Sequence, residues 1–373
     1  MVPALAASSL RLLGHPPTRI GPLLSLLERH ADLLRCPRCA AALEPADSSV
    51  RCSGCSHTFP ADGGILQLYW PTEWDPSKPD VTDDVRAFYE ETPFPNYDEF
   101  DDVGTLMEKA RRGLFARLLD EQIPFGTRVL EAGCGTGQMS NFLSVANRTV
   151  IGADLCLNSL RLGQEFKDRN RLSSVHFVQM NLFRPAFAPG AFDLVISNGV
   201  LHHTADPALA FRTLARLVRP GGYILVGLYH RYGRLITDAR RRIFRAFGDR
   251  FQFLDPNLRQ KDTSAAKRRA WFMDQYKHPH ESKHTIGEVL GWLDDIGLEF
   301  VTSIPKSIPL QPFSEDTRLF KPEPVGSPLE RLIVELGMTF TGSQQGGFFI
   351  VIGRRPAAPR QHASAATSRA AAL

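Results

Sequence analysis

The stretch Val129-Leu-Glu-Ala-Gly-Cys-Gly-Thr-Gly137 decides the fold that we predict for this chain. It has the pattern of a buried strand that runs directly into a glycine-rich turn before a helix. Glycines at 133, 135 and 137 let the backbone turn sharply and let a ligand lie where a Cβ would intrude. The dinucleotide fingerprint is Gly-x-Gly-x-x-Gly, whereas this turn is Gly-x-Gly-x-Gly and follows Glu131. Because a carboxylate suits an ammonium rather than a phosphate, the turn predicts a ligand with a cationic group.

Short apolar runs alternate with helical stretches from residue 127 onward. This alternation predicts a parallel sheet with crossover helices. The predicted strands lie at 128–132, 149–153, 175–179, 193–197 and 223–228, followed by strands at 299–304 and 347–353. The first five are continuous apolar runs, as expected of strands that are buried on both faces. We therefore expect an α/β fold with a doubly wound, mostly parallel sheet of seven strands.

Polar residues follow the ends of the next strands. Asp154 ends the second strand, 21 residues beyond Gly133, where an acid can accept from both ribose hydroxyls of an adenosine. In open parallel sheets, ligands bind outside the carboxyl ends of the strands, so these segments should converge on one crevice. The residues predicted to bind the cofactor there are Glu131, Gly133, Gly135, Gly137, Asp154, Leu155, Met180, Asn181, Leu182 and Asn198.

These motifs together resemble the class I S-adenosylmethionine-dependent methyltransferases, particularly the group that methylates small molecules and lipids. Residues 131–137 are similar to that family's first motif, Asp154 to its ribose-binding acid, and Val200-Leu-His-His203 to its fourth-strand motif. Asn181 stands where the family usually has an acid beside adenine. The resemblance covers residues 127–229. It implies a Rossmann-like methyltransferase core, S-adenosylmethionine as cosubstrate and an enzyme that transfers its methyl group.

Candidate catalytic residues depend on the acceptor. The methyl group of a sulfonium is already activated, so the enzyme mainly has to hold acceptor, carbon and sulfur in line. A general base is needed only where the acceptor keeps its proton until attack. Two candidates, His203 and His202, lie just past the fourth strand. The third is Tyr89, in a helix that often covers the cofactor in the methyltransferase family that this chain resembles. For each, the alternative is a packing role.

Four cysteines form a second motif near the start of the chain. Cys36-x-x-Cys39 and Cys52-x-x-Cys55 are separated by twelve residues, an arrangement typical of two facing zinc knuckles. Four thiolates close the coordination shell, so we expect a structural zinc. The run 36–68 resembles the zinc ribbon of methyltransferase activator subunits and of a ribosomal-RNA guanine methyltransferase family. In the latter a histidine replaces one cysteine, which makes His57 a reserve ligand.

The predicted organisation has five parts. They are an N-terminal extension (1–33), the zinc-ribbon module (34–70), a linker with lid helices (71–120), the methyltransferase domain (121–355) and a disordered tail (356–373). Helices are expected at 20–34, 81–91, 103–119 and 285–296, and a helical, basic insertion at about 229–284. No apolar run reaches the roughly 18 residues of a membrane span, and no export signal is recognisable, so we expect a cytoplasmic protein.

The acceptor stays open at this point. A small molecule, a lipid or a biosynthetic intermediate is favoured by the fourth-strand motif and by the insertion, which is long enough to form a pocket. RNA or protein is favoured by the ribbon and by a basic region whose alternative is a solvated helical face. This region comprises Arg240, Arg241, Arg242, Arg245, Lys261, Lys267, Arg268 and Arg269. The third reading is a non-catalytic scaffold that keeps the fold, and the oligomeric state is not indicated.

Overall fold

The computed structural model describes residues 22–74, 80–94, 97, 102–259, 264–341 and 347–357. Most of the predicted N-terminal extension and nearly all of the predicted disordered tail lie outside these residues. The expected helix at 20–34 is described from Pro22 and ends at His30. Within the described part of the chain, no helix combines the length and the apolar character needed to span a membrane.

Eleven strands of the described residues form one sheet. They are β1 (Leu43–Ala46), β2 (Ser49–Cys52), β3 (Thr58–Asp62), β4 (Ile65–Leu68), β5 (Arg128–Ala132), β6 (Thr149–Asp154), β7 (Val175–Met180), β8 (Phe192–Asn198), β9 (Val218–Tyr229), β10 (Glu299–Ile304) and β11 (Phe348–Arg354). Their spatial order is β1-β2-β3-β4-β7-β6-β5-β8-β9-β11-β10. Neighbours from β4 to β9 are parallel, whereas β11 is antiparallel to both β9 and β10.

The predicted α/β class and its seven strands are confirmed in β5 to β11. The sheet nevertheless has four more strands than we predicted, because the strands of the cysteine module extend it. Strand β4 pairs in parallel with β7, with Leu66 opposite Val178 and Leu68 opposite Met180. These four side chains belong to one apolar cluster that also contains Cys36 and Cys52. The zinc-ribbon module therefore shares both the sheet and the core of the methyltransferase-like part.

Eleven α-helices of the described residues surround the sheet. They are α1 (Pro22–His30), α2 (Thr82–Glu91), α3 (Val103–Arg112), α4 (Leu114–Gln122), α5 (Gln138–Ser144), α6 (Leu157–Arg169), α7 (Pro207–Ala215), α8 (Leu235–Phe247), α9 (Ala265–Phe272), α10 (Ile286–Asp294) and α11 (Pro328–Thr341). The single helix predicted at 103–119 is wrong, because α3 and α4 are separate. Gly113 between them has extended dihedrals, φ −80° and ψ 119°. Helix α11 was not predicted from the sequence.

The insertion after β9 is helical, as predicted. It contains α8, α9 and a π-helical segment, Met273–Lys277, that continues directly from α9. Phe244, Phe272 and Tyr276 form its own small apolar cluster. Fully buried Arg234 donates through Nε and Nη2 to the two carboxylate oxygens of Glu281, at 3.2 and 2.7 Å. This bidentate ion pair fixes the start of α8 against residues that come just before α10.

Candidate functional site

A cavity of about 1100 Å³ lies at the carboxyl ends of the parallel strands. Its wall includes residues from the ends of β5, β6 and β8, from α2 to α5, and from the insertion. Of the predicted site residues, it contains Glu131, Gly133, Gly135, Asp154, Leu155, Asn181, Leu182, Asn198, Tyr89 and His203. The convergence that the sequence predicted therefore occurs at one edge of the sheet.

The glycine-rich turn is held by the acid at the end of β6. The amide of Gly135 donates to Asp154 Oδ2 and the amide of Cys156 donates to Oδ1, both at 2.8 Å. Gly135 lines the cavity with φ +53°, a conformation that favours glycine. Burial raises the pKa of Asp154, while these backbone donors act in the opposite direction. Each carboxylate oxygen keeps lone-pair capacity for a ribose hydroxyl.

Three predicted residues do not line the cavity. A Cβ on Gly137 would meet the ring of Phe177 at 2.3 Å, and its φ is +72°, so packing and backbone conformation demand glycine there. Met180 is buried in the core, where its sulfur accepts from the amide of Ala186. His202 is fully buried, with its ring centroid 4.0 Å from that of Tyr229. These three act through packing around the site.

Glu131 is an acid inside the cavity wall. It is 6% exposed, and its Oε2 accepts from the hydroxyl of Ser140. Burial raises the pKa of Glu131 to about 8, although the bond from Ser140 lowers it. In the free protein at pH 7, Glu131 is therefore mostly protonated. An ammonium group bound beside it favours the ionised carboxylate and displaces that proton.

We expect the affinity for S-adenosylhomocysteine, which carries such an ammonium, to rise with pH. Between pH 6 and 7.5 the dissociation constant should fall roughly tenfold per pH unit, because binding has to remove one proton from Glu131. Calorimetric titrations at several pH values measure this slope. Glu131→Gln should bind more weakly at pH 7.5 and without the slope. A wild-type affinity that does not change with pH would refute this role for Glu131.

The side chain of Asn181 makes hydrogen bonds within the protein that we did not predict. Its Nδ2 donates to the carbonyl of Trp70 at 3.0 Å and to Thr72 Oγ1 at 2.9 Å. Its Oδ1 accepts from the amide of Phe183 at 3.0 Å. The amide thus ties the chain after β4 to the end of β7, while the residue still forms part of the cavity wall. Any hydrogen bond to adenine from this side chain is limited to its remaining carbonyl lone pair.

The cavity fits an adenosyl ligand in one further respect. Asn198, at the end of β8, lines the wall, and its buried Oδ1 has no hydrogen-bond partner among the described residues. A buried polar atom without a partner costs free energy, on the order of 1–3 kcal/mol. We propose that Asn198, together with Glu131, Asp154 and the bare turn at Gly135, contacts a bound S-adenosylmethionine.

The candidate bases lie together at the insertion side of the cavity. His203 Nδ1 donates to the carbonyl of His280 at 2.8 Å, and its ring stacks on that of His278 with centroids 3.7 Å apart. Burial lowers the pKa of His203 to about 4. The hydroxyl of Tyr89 donates to Asp274 Oδ1 at 3.0 Å, and burial raises the pKa of Tyr89 well above its ordinary value. His203 is thus a weak base, and Tyr89 stays a neutral donor.

Three polar residues of this region were not among the predicted site residues. Asp274, Gln275 and Tyr229 all belong to the cavity wall and hydrogen-bond to one another. Asp274 stands in Trp271-Phe-Met-Asp-Gln-Tyr276, where one acid is surrounded by apolar and aromatic residues. That composition is unusual for a solvated helix, and it was the sequence signal that could have indicated a buried Asp274.

The four cysteines meet as predicted. Their sulfurs lie within 4.8 Å of one another, with 3.8 Å between Cys36 and Cys55 and 3.3 Å between Cys39 and Cys52. Sulfurs at the corners of a zinc tetrahedron with bonds of about 2.3 Å are about 3.8 Å apart. The cluster therefore fits a structural zinc with a closed shell. His57 is not part of it, because its ring packs against Phe59 and Trp70.

Comparisons with known proteins agree with this site. Residues 130–226 match the methyltransferase domain family. An uncharacterized protein of Synechococcus sp. is 31% identical over 198 residues, which cover 47% of this chain and 48% of that protein. A ubiquinone biosynthesis O-methyltransferase of Ralstonia nicotianae is 36% identical over 110 residues, which cover 28% of this chain and 44% of that protein. The chain spans about half the length of the curated relatives it matches, or less.

A solved structure, PKMT2 from Rickettsia typhi in complex with AdoHcy, is 16% identical and has a TM-score of 0.48. The structural match covers 67% of this chain and 54% of the PKMT2 chain. The sequence matches are centred on the strands and turns that build the cavity. Residues 130–226 of this chain are therefore a methyltransferase domain, as the resemblance implied.

Proposed function

We propose that this chain, which carries an S-adenosylmethionine-dependent methyltransferase domain, methylates a small molecule, a lipid or a biosynthetic intermediate of apolar character. The observation that supports this most is the cavity itself. Its volume of about 1100 Å³ slightly exceeds the range of ordinary ligand pockets, which is about 300–1000 Å³. Such a space accommodates a methyl donor and a small acceptor side by side.

One part of the cavity wall is apolar and lies away from the glycine-rich turn. Ile304 at the end of β10 and Phe313 in the loop that follows belong to the outer edge of the sheet, whereas Asp154 ends β6. Other apolar side chains of the cavity wall are Leu106, Leu114, Phe115 and Phe348. We infer that they contact the acceptor, because burial of an apolar body against them contributes about 25 cal/mol per Å².

The chain's part in methyl transfer is to bind, orient and exclude water. Glu131 and Asp154 fix the methyl donor at two points, its ammonium and its ribose. Helix α2 closes one side of the cavity with Val85, Arg86 and Tyr89. Holding acceptor, methyl carbon and sulfur in line supplies on the order of 7–11 kcal/mol of the barrier. The relatives named as ubiquinone biosynthesis O-methyltransferases support an acceptor of small size.

An RNA or protein acceptor is the second candidate, because α8 exposes Arg242 and Arg245 to solvent. One further residue of the basic region, Arg241, is paired with an acid inside the insertion. Arg241 donates to Glu281 Oε2 at 2.7 Å and to the carbonyl of Gln275 at 2.6 Å. The basic region is thus less available to phosphates than the sequence indicated. Steep loss of binding with rising salt would favour this second function.

We expect label from methyl-labelled S-adenosylmethionine to enter organic-soluble material when the protein is incubated with fractionated cell extract. RNA, protein and organic-soluble fractions are counted separately. Asp154→Ala serves as the matched control, since it should abolish the signal. Label in RNA or protein would support the second candidate instead. Absence of label from every fraction, from a protein that binds S-adenosylhomocysteine, would indicate a non-catalytic scaffold.

A further inference from the structure

Asp274 presents a buried carboxylate to the cavity. It lies in the π-helical segment Met273–Lys277 and is 5% exposed. Its Oδ1 accepts from the hydroxyl of Tyr89 at 3.0 Å. Its Oδ2 accepts from Gln275 Nε2 at 2.9 Å and from the hydroxyl of Tyr229 at 3.3 Å. Three donors from three elements thus aim one carboxylate at the space where the acceptor binds.

Burial makes the Asp274 carboxylate more basic than that of an exposed aspartate. Burial raises the pKa of Asp274, which the nearby His278, the bonds from Tyr89 and Gln275, and Arg234 partly oppose. Burial also raises the pKa of Tyr89 and of Tyr229, so both stay neutral donors near neutral pH. A carboxylate with a raised pKa is a better proton acceptor than an ordinary aspartate.

The other polar groups nearby are less suited to this task. Burial lowers the pKa of His203 to about 4 and that of His278 to about 3, so both are weak bases. The Nδ1 proton of His203 is held by the carbonyl of His280. Glu281 is occupied by Arg234 and Arg241. Asp274 is left as the carboxylate of the acceptor region that faces the cavity.

We propose that Asp274 takes the proton that a hydroxyl acceptor loses when it is methylated. The acceptor oxygen forms a bond to the methyl carbon while the carbon–sulfur bond breaks and leaves its electron pair on sulfur. The hydroxyl proton passes to Asp274, and the products are a methyl ether and S-adenosylhomocysteine. Tyr89, Tyr229 and Gln275 are positioning residues that hold the carboxylate. This inference rests on the proposed function and specifies its acceptor as an apolar molecule with a hydroxyl group.

The acceptor class follows from the composition of the wall. One end offers Asp274 with its three donors, and the remainder is lined by residues such as Leu114, Phe115 and Phe313. An apolar alcohol or phenol satisfies both parts, because its hydroxyl reaches the carboxylate while its body stays against apolar side chains.

The test uses two apolar phenols as acceptor probes at pH 8. The hydroxyl of 4-nonylphenol is protonated at this pH, whereas 4-nonyl-2-nitrophenol is largely ionised and needs no base. For Asp274→Asn we expect kcat on 4-nonylphenol to fall at least about 100-fold, within the usual range for loss of a general base. On the nitrophenol the loss should be about tenfold or less. A residue that acted only through structure would affect both probes equally.

The matched control is Asp255→Asn. Asp255 is also a buried carboxylate of the insertion and accepts from Trp271 Nε1 and from the hydroxyl of Tyr276, but it is not part of the cavity wall. We expect its variant to keep the activity of the wild type on both probes. The affinity for S-adenosylhomocysteine should stay within about twofold of wild type in Asp274→Asn. If that variant does not fold, Asp274→Ala takes its place, with added formate expected to restore turnover on 4-nonylphenol at least about tenfold.

Each remaining outcome is decisive. Equal losses on the two phenols, no loss at all, or no rescue by formate would overturn the role of Asp274. A wild-type protein that binds S-adenosylhomocysteine but methylates neither phenol would overturn the acceptor class. Failure to bind S-adenosylhomocysteine would count against the proposed function itself.

Discussion

Replacement of Cys52 by serine is expected to release the zinc and unfold strands β1 to β4. Zinc binding to a small structural site contributes on the order of 10–16 kcal/mol, and a ribbon of this size has too little core to fold without it. Cys36 and Cys52 also lie in the apolar cluster that joins β4 to β7. Loss of the metal should therefore destabilise the methyltransferase core as well as the ribbon.

Asn181 connects the zinc-ribbon module to the cavity wall. After β4, the carbonyl of Trp70 and the hydroxyl of Thr72 both accept from Asn181 Nδ2. Asn181 forms part of the cavity wall, so disorder in the ribbon removes two of the bonds that position it. We expect the affinity of Cys52→Ser for S-adenosylhomocysteine to be about tenfold lower than that of the wild type.

Three measurements on Cys52→Ser check this prediction: bound zinc, susceptibility of the ribbon to protease, and the calorimetric affinity for S-adenosylhomocysteine. Arg51→Ala is the matched control, because Arg51 is an exposed neighbour on β2 and its variant should keep both metal and affinity. A metal-free variant with unchanged affinity would show that the cavity does not depend on the zinc-bound ribbon.

The second large effect is expected for Asp154→Ala. This variant loses the carboxylate that we propose accepts from two ribose hydroxyls, and it also loses the acceptors for the amides of Gly135 and Cys156. Hydrogen bonds to a charged group contribute roughly 1.5–3 kcal/mol each, so the affinity for S-adenosylhomocysteine should fall at least about 100-fold. Isothermal calorimetry measures the change.

The control for Asp154→Ala is a carboxylate at the opposite end of the sheet. Asp193, near the start of β8, accepts from the amide of Arg128 and pairs with Arg219. We expect Asp193→Ala to keep the wild-type affinity, although it should lower the melting temperature. Zinc content should be unchanged in both variants. An affinity that survived Asp154→Ala would contradict the ribose assignment.

Much of the core was readable from the sequence because its signals are local. The apolar run 128–132 coincides with β5, and the run 299–304 coincides with β10. Asp154 stands at the end of a buried strand, so its position at the edge of the cavity could be predicted from the topology of a parallel sheet alone. The cysteine pairs were recognisable from their spacing alone, and their sulfurs meet in the structure.

The rest depends on contacts between distant parts of the chain. From its position at the end of β7, Asn181 was predicted to contact the cofactor. In the structure its side-chain amide donates to residues more than a hundred positions earlier in the chain. Strand β4 of the ribbon gives no sequence signal of its pairing with β7. Asp274 becomes part of the cavity only because the insertion folds back onto α2 and β9, where Tyr89 and Tyr229 donate to it. Such long-range pairings have no periodicity that a single sequence displays.

The most direct measurement is calorimetric titration of the purified, folded protein with S-adenosylhomocysteine and, separately, with a nicotinamide dinucleotide. If Glu131, Asp154 and the glycine-rich turn hold an adenosyl ligand with an ammonium group, the first titration shows saturable one-to-one binding and the second shows none. Binding of the dinucleotide, together with no heat from S-adenosylhomocysteine, would contradict the assignment of this cavity to a methyl donor.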